Sequence, residues 1–364
     1  MIRLLPALVA AGMAVAVPAQ AAVTPPAGGD HGHVLTPVRP ESEGRAFPAG
    51  AVGDRGSGEV SGTVSPGRDR HASIARGEFR QSGLVPRDVR AEFLPWHRLA
   101  ATAPNGPVDG SGVRKFPAAD GTLYDHPVVQ VQYGLMALEA FRRHRAPRLL
   151  RAAMVQADRQ IARRTVSRGG WFYSYPFDFV LAARHGFIER TPWYSAMAQG
   201  EALSLFSQLA QLPALPLEQR DTYQAAADAT FRSLILDPRP PRPWATMIDK
   251  SGYLWLQEYP SRPVSASDYT FNGHVFALLG LYDYYRLTGN RLAAQLFDGA
   301  ATTARHYAHV IRRPGSLSAY CVRHNVFREH YHSIHIELLL QLHWLTGDRA
   351  FARLAARFQA DHPH

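Results

Sequence analysis

From Leu94-Pro95-Trp96 to the C-terminus, apolar and polar positions alternate in helical patterns. The clearest evidence is internal. LYDYYRLTGNRLAAQLFDGA (281–300) and LQLHWLTGDRAFARLAARFQ (340–359) both read helix, Leu-Thr-Gly, Asn or Asp, Arg, helix. Gly289 and Gly347 suit the left-handed conformation that closes a helix, and Asn290 and Asp348 can cap the next one. A third, weaker copy is LEAFRRHRAPRLLRAAMVQA (138–157), in which Pro147 suits a first helical turn. Repeated helical hairpins with short loops predict a mainly α fold, an (α/α) barrel or toroid. Two stretches dense in aromatics and Pro interrupt the helices, GGWFYSYPFDF (169–179) and GYLWLQEYP (252–260). They are expected as loops or short strands at one end of the ring.

TPWYSAMAQGEALSLFSQL (191–209) places Trp193, Tyr194 and Gln199 at the start of a helix, around a patch of small residues. A plain amphipathic helix carries Leu or Ala there, so this start is expected to face a sugar.

Composition changes the picture at the N-terminus. MIRLLPALVAAGMAVAVPAQAAV has a basic n-region, an apolar run too short for a full span and a small-residue cleavage site. Residues 1–22 are therefore expected to be a signal peptide, and the protein to be secreted or associated with the cell envelope. Residues 23–87, rich in Gly, Pro, Ser, Arg and Asp, are expected to be a disordered linker, with the catalytic domain over 88–364. The net charge of the 364 residues is +10, spread rather than clustered, which favours a polyanionic partner. Cys321 is the only cysteine, which excludes an internal disulfide.

Three clusters can carry chemistry: Gln257-Glu258-Tyr259-Pro260 with Asn272-Gly273; Tyr320-Cys321-Val322-Arg323-His324; and Tyr331-His332-Ser333-Ile334-His335. His332 and His335 share a helix face, yet no HExxH order or third ligand accompanies them, so no metal is expected. Ser195 lacks a G-x-S-x-G elbow, and no phosphate loop, dinucleotide fingerprint or nucleic-acid module appears. What remains is acid/base work by Tyr and Glu. Arg323, three residues after Tyr320, can lower the phenol's pKa if both face one cleft, or can make a structural ion pair.

At these residues the chain resembles the C-terminal catalytic domain of the D-glucuronyl C5-epimerases. Four stretches carry the resemblance: YDHPVVQVQYGL (124–135), WYSAMAQGEALS (193–204), EYP…FNGHVFALLGLYDY (258–284) and AYCVRH…YHSIHIELL (319–339). The resemblance implies a helical (α/α) barrel. It implies that Glu258, Tyr259, Tyr320 and Tyr331 are catalytic, with Tyr259 and Tyr331 as the opposed proton-transfer pair and Glu258 tuning a tyrosine. Arg323, His324 and His335 would bind substrate, together with Trp193, Tyr194, Gln199, Tyr124 and Asn272. No cofactor is implied. The expected partner is an acidic, heparosan-like polysaccharide; nucleic acid and stable membrane insertion are not expected, and a homodimer is allowed. The chain departs from the family in a shorter Tyr320–Tyr331 gap, in Gln257 where an acidic residue is common, and in a linker where the animal enzymes carry a β-rich region. A polysaccharide lyase, which makes the same carbanion, and a polysaccharide-binding protein without turnover stay open as alternatives.

Overall fold

The computed structural model describes residues 73–363, apart from 119, 182–187 and 325. The expected signal peptide, and the expected linker as far as residue 72, lie outside the described residues.

Among the described residues, eight α-helices form four hairpins: α1 (Pro127–His144) with α2 (Pro147–Ala162), α3 (Ala196–Ala210) with α4 (Leu217–Leu234), α5 (Phe271–Thr288) with α6 (Arg291–Ile311), and α7 (Glu329–Thr346) with α8 (Arg349–Asp361). The first helices of the hairpins pack in the order α1–α3–α5–α7, and the second helices lie outside them. This is the expected (α/α) toroid. The inner helices α1, α3 and α5 are buried on nearly every side, whereas the outer α2 and α8 bury one stripe. The residues expected to cap do so. Gly289 and Gly347 end α5 and α7 at φ 67° and 71°, Asn290 Oδ1 accepts from Leu292 and Ala293 N–H, and Asp348 Oδ1 accepts from Ala350 N–H.

Helix α3 crosses α5 at close range. A Cβ on Gly200 would lie 2.3 Å from Ala277 Cα, and one on Gly280 would lie 2.0 Å from Gly200 O. The small-residue patch of WYSAMAQG therefore serves close approach of two helices.

Among the described residues, four two-stranded antiparallel pairs decorate the helices: β1 (Phe116–Pro117) with β2 (Leu123–Tyr124), β3 (Arg164–Ser167) with β4 (Gly170–Tyr173), β5 (Phe179–Val180) with β6 (Ile188–Glu189), and β7 (Thr246–Ile248) with β8 (Leu254–Leu256). The chain thus enters α1, α3 and α5 through strand-and-loop segments, and the two aromatic stretches contribute β4, the start of β5, and β8.

The folded body begins earlier than expected. The linker was placed as far as residue 87, but Ile74 and Leu84 are buried. Asp237 accepts from Ile74 N–H, Asp298 accepts from Ser82 and Gly83 N–H, and Arg87 N–H donates to Leu345 O. Residues 73–87 are polar and lack periodicity because their donors are satisfied by carboxylates of distant helices and loops. The following segment bridges the first and last inner helices: His97 pairs with Glu139 at 2.8 Å, and Gln341 Nε2 donates to Phe93 O. Among the described residues no helix is long and apolar enough to cross a membrane.

Candidate active site

The site is assembled where the chain enters α3, α5 and α7. Strand β8 runs straight into Gln257-Glu258-Tyr259. Gln257 is fully buried. Its backbone O accepts from Ala196 N–H, and its Oε1 accepts from Tyr269 N–H. It ties the start of α3 to the loop before α5, a neutral amide doing positional work where a carboxylate would be costly. The loop 269–271 is then laced to 320–322: Phe271 N–H donates to Tyr320 O and Val322 N–H to Tyr269 O. This backbone ladder carries Tyr320 alongside Tyr259, and α7 begins close by with Tyr331 in its first turn.

Three phenols and a carboxyl converge. Tyr259 and Tyr320 hydroxyls are 3.4 Å apart, and the Tyr320 and Tyr331 rings are 4.4 Å apart. The Glu258 carboxyl faces Tyr259, Tyr320 and the Gly273 N–H, yet its Oε2 is buried with no hydrogen-bond partner. Gly273 makes this placement feasible, since a Cβ there would sit 2.1 Å from that oxygen. Burial, with Asp268 nearby, pushes Glu258 up to about 8 against the bonds that oppose it. Burial and the Glu258 charge together push the Tyr259, Tyr320 and Tyr331 phenols above their ordinary range. At neutral pH the cluster therefore holds its protons.

An aromatic wall flanks it. Trp193 stacks on Tyr175 at 3.7 Å and lies 6.0 Å from Tyr259, whose other neighbour, Phe179, is stacked at 6.0 Å. Tyr124 joins the same wall through Phe177. Asn272 is buried in the first turn of α5 with Oδ1 lacking a donor.

Four expected substrate-side residues point elsewhere. Arg323 is exposed and donates to Ser265 O, and the Tyr320 phenol is pushed up by burial and the Glu258 charge rather than lowered as the expected Arg323 pairing would have it. Gln199 is fully buried with both polar atoms in use, Oε1 accepting from Tyr173 N–H and Nε2 donating to Trp171 O and Ser233 Oγ. It pins β4 and α4 to α3. Tyr194 bonds Thr165 and packs on Phe172. His335 is fully buried, bonded to Ser318 and packed edge-on against Phe271, and burial pushes it down to about 3, so it carries no positive charge. His332 also spends its nitrogens on Ser318 and Phe358 O. His324 pairs with Asp268 at 2.5 Å.

The structure adds residues that pattern did not mark. Glu201 is wholly buried beside Gln132, and Tyr175 is wholly buried next to Ser195; both feel the Glu258 charge. Glu201 was hidden because a Glu at the sixth position of a small-residue helix reads as a solvent-facing charge. Arg328, which caps α7, is the cation whose field reaches Tyr331.

Comparison with known proteins follows this geometry. The family model described as D-glucuronyl C5-epimerase C-terminus matches residues 167–360. A D-glucuronyl C5-epimerase of Caenorhabditis elegans is 25% identical over 209 residues, 52% of this chain and 32% of that protein, so the match spans about a third of the relative's length. Among solved structures, the Lin0763 protein of Listeria innocua has a TM-score of 0.43 at 10% identity, covering 68% of this chain and 61% of that one. The GH76 α-mannanase BT2949 of Bacteroides thetaiotaomicron has a TM-score of 0.40 at 11% identity, covering 67% and 58%. At such scores these two likenesses carry no inference.

Proposed function

Because the chain belongs to the D-glucuronyl C5-epimerase C-terminal family, we propose that it is a uronate C5-epimerase, exported, and acting on a heparosan-like acidic polysaccharide. The observation that carries this reading is the convergence of Glu258, Tyr259, Tyr320 and Tyr331 beside an aromatic wall.

The hydrogen on C5 of a uronate is adjacent to a carboxylate, so its removal concentrates negative charge on an already anionic group. The reaction needs a base on one face, an acid on the other, and donors where the charge grows. Tyr259 and Tyr331 are assigned as the opposed pair, with Tyr320 between them able to pass a proton along the hydroxyl contacts. Phenols pushed upward are poor bases by themselves. Glu258, poised near pH 8, is the group matched to accept a phenolic proton as the phenol takes the one on C5. The return step runs the same chain on the other face. Arg328 takes over the charge-stabilising role first assigned to Arg323, because its field reaches Tyr331 whereas Arg323 is turned outward. The wall of Trp193, Tyr175 and Phe179 offers ring faces for the sugar, and the net charge of +10 favours a polyanionic chain.

Incubation with heparosan in deuterated water is expected to place deuterium at C5 of the uronate, as read by mass spectrometry and NMR. Tyr259→Phe and Tyr331→Phe are each expected to slow that exchange by about 10²-fold or more, the scale of a lost acid/base group, with thermal unfolding unchanged. No exchange on any uronate polymer would overturn the assignment. Accumulation of an unsaturated uronate, seen by its ultraviolet absorbance, would replace epimerisation by elimination.

A further inference from the structure

We propose that Asp268, Cys321 and His324 form a binding site for a divalent transition metal of the zinc class. The three ligand atoms lie within 4.8 Å of one another. They come from the two segments laced by the backbone ladder: Thr270 bridges Cys321 in antiparallel register, which sets Asp268 beside the 321–324 turn. His324 N–H donates to Cys321 Sγ, closing that turn around the sulfur.

The geometry suits a metal with short bonds. Tetrahedral zinc with thiolate and imidazole ligands separates S and N by about 3.5 Å; here Cys321 Sγ and His324 Nδ1 are 3.7 Å apart. Asp268 Oδ1 lies 2.5 Å from the same nitrogen, so its carboxylate has to swing outward by about 0.8 Å to reach a tetrahedral edge. Its other oxygen is already held by Thr270 Oγ1 at 2.7 Å, the outer-sphere bond that orients a ligating carboxylate. Asp268 and Cys321 are buried while the His324 side chain keeps 22% exposure, which leaves one side open for a water or a substrate oxygen. A thiolate, an imidazole and one carboxylate select zinc or cobalt over calcium or magnesium.

A second observation points the same way. Two further buried carboxyls that feel the Asp268 charge each keep an oxygen without a hydrogen-bond partner, Glu189 Oε1 and Glu258 Oε2. Ionising buried carboxyls gathered around one another calls for a cation; Arg262, whose charge reaches Glu189, is bonded at the surface to Pro241 O, as Arg323 is to Ser265 O. Metal entry displaces the proton shared by His324 Nδ1 and Asp268 to solvent, and the Cys321 thiol likewise gives its proton to solvent as the metal–sulfur bond forms.

The test does not depend on epimerase activity. The full chain is stripped with a chelator and titrated with Co(II), then with zinc. The expected result is stoichiometric uptake with a sulfur-to-cobalt charge-transfer band. Cys321 is the only cysteine, so that band reports this site without any variant. Cys321→Ser should abolish the band, and Asp268→Asn and His324→Ala should each weaken zinc binding at least about 10-fold, with metal-free unfolding followed alongside. Zinc should raise the Tm of the wild type and not of Cys321→Ser. Absence of stoichiometric uptake, or uptake with no sulfur band, would overturn the proposal while leaving the deuterium exchange assignment standing.

Discussion

Glu258 shows how one environment can set activity and stability against each other. Folded, it is held near 8; unfolded, it returns to about 4.5. Its ionised form is therefore disfavoured in the fold. By linkage the wild type loses stability as pH rises from about 4.5 to about 8, on the order of a few kcal/mol in total. Yet the acceptor role requires the ionised form, so kcat/KM should rise with pH and level off above about 8. Glu258→Gln should lose exchange by about 10²–10⁴-fold and flatten the pH profile. The same variant should match the wild type in denaturant unfolding near pH 4 and exceed it at pH 8. Equal stability at pH 8 would show that the carboxyl is not held neutral by its surroundings. At this scale the matched motifs marked Glu258, Tyr259, Tyr320 and Tyr331, which the fold gathers into one cluster. They also marked Arg323, Gln199, Tyr194 and His335, which it does not bring there. Residue type and spacing are the same in both groups. What separates them is where each side chain finds its hydrogen-bond partner: Gln199 in β4 and α4, Tyr194 in β3, His335 in Ser318, Arg323 in the Ser265 carbonyl.

At the scale of elements, the helices and their ends were legible because their causes are local. Gly289 and Gly347 stop helices, and Asn290 and Asp348 start them by accepting from N–H groups two or three residues away. The crossing of α3 with α5 was not legible, since it joins residues far apart in the chain. It makes a specific demand: Gly200 faces Ala277 backbone, which cannot move aside as a side chain can. Gly200→Val is expected to cost about 3 kcal/mol or more, read as a large fall in Tm, and to impair exchange because α3 carries Trp193 at its entrance. Gly315→Ala, which meets nothing within 4 Å, is the control for the added Cβ, its φ of 72° costing only local strain. If Gly200→Val unfolds at the wild-type temperature, the close crossing is not real.

For the molecule as a whole, the unexpected part is the segment from Ser73 to Leu99, which clasps helices from both ends of the inner array. Ile74 is fully buried although Ala75 and Arg76 beside it are exposed. Ile74→Ala should destabilise the protein by about 2–4 kcal/mol, whereas Val85→Ala, at a side chain 60% exposed, should leave Tm unchanged. A silent Ile74→Ala would return this segment to the linker. The sequence by itself determined the fold class, the hairpin repeat, the caps and the family, because periodicity, capping and motif order act over short stretches of chain. The tertiary structure alone decided where the folded body begins, which motif side chains share a site, and that Asp268 meets Cys321 and His324. Those outcomes rest on hydrogen bonds and burial between segments tens to hundreds of residues apart, and no local pattern encodes such partners.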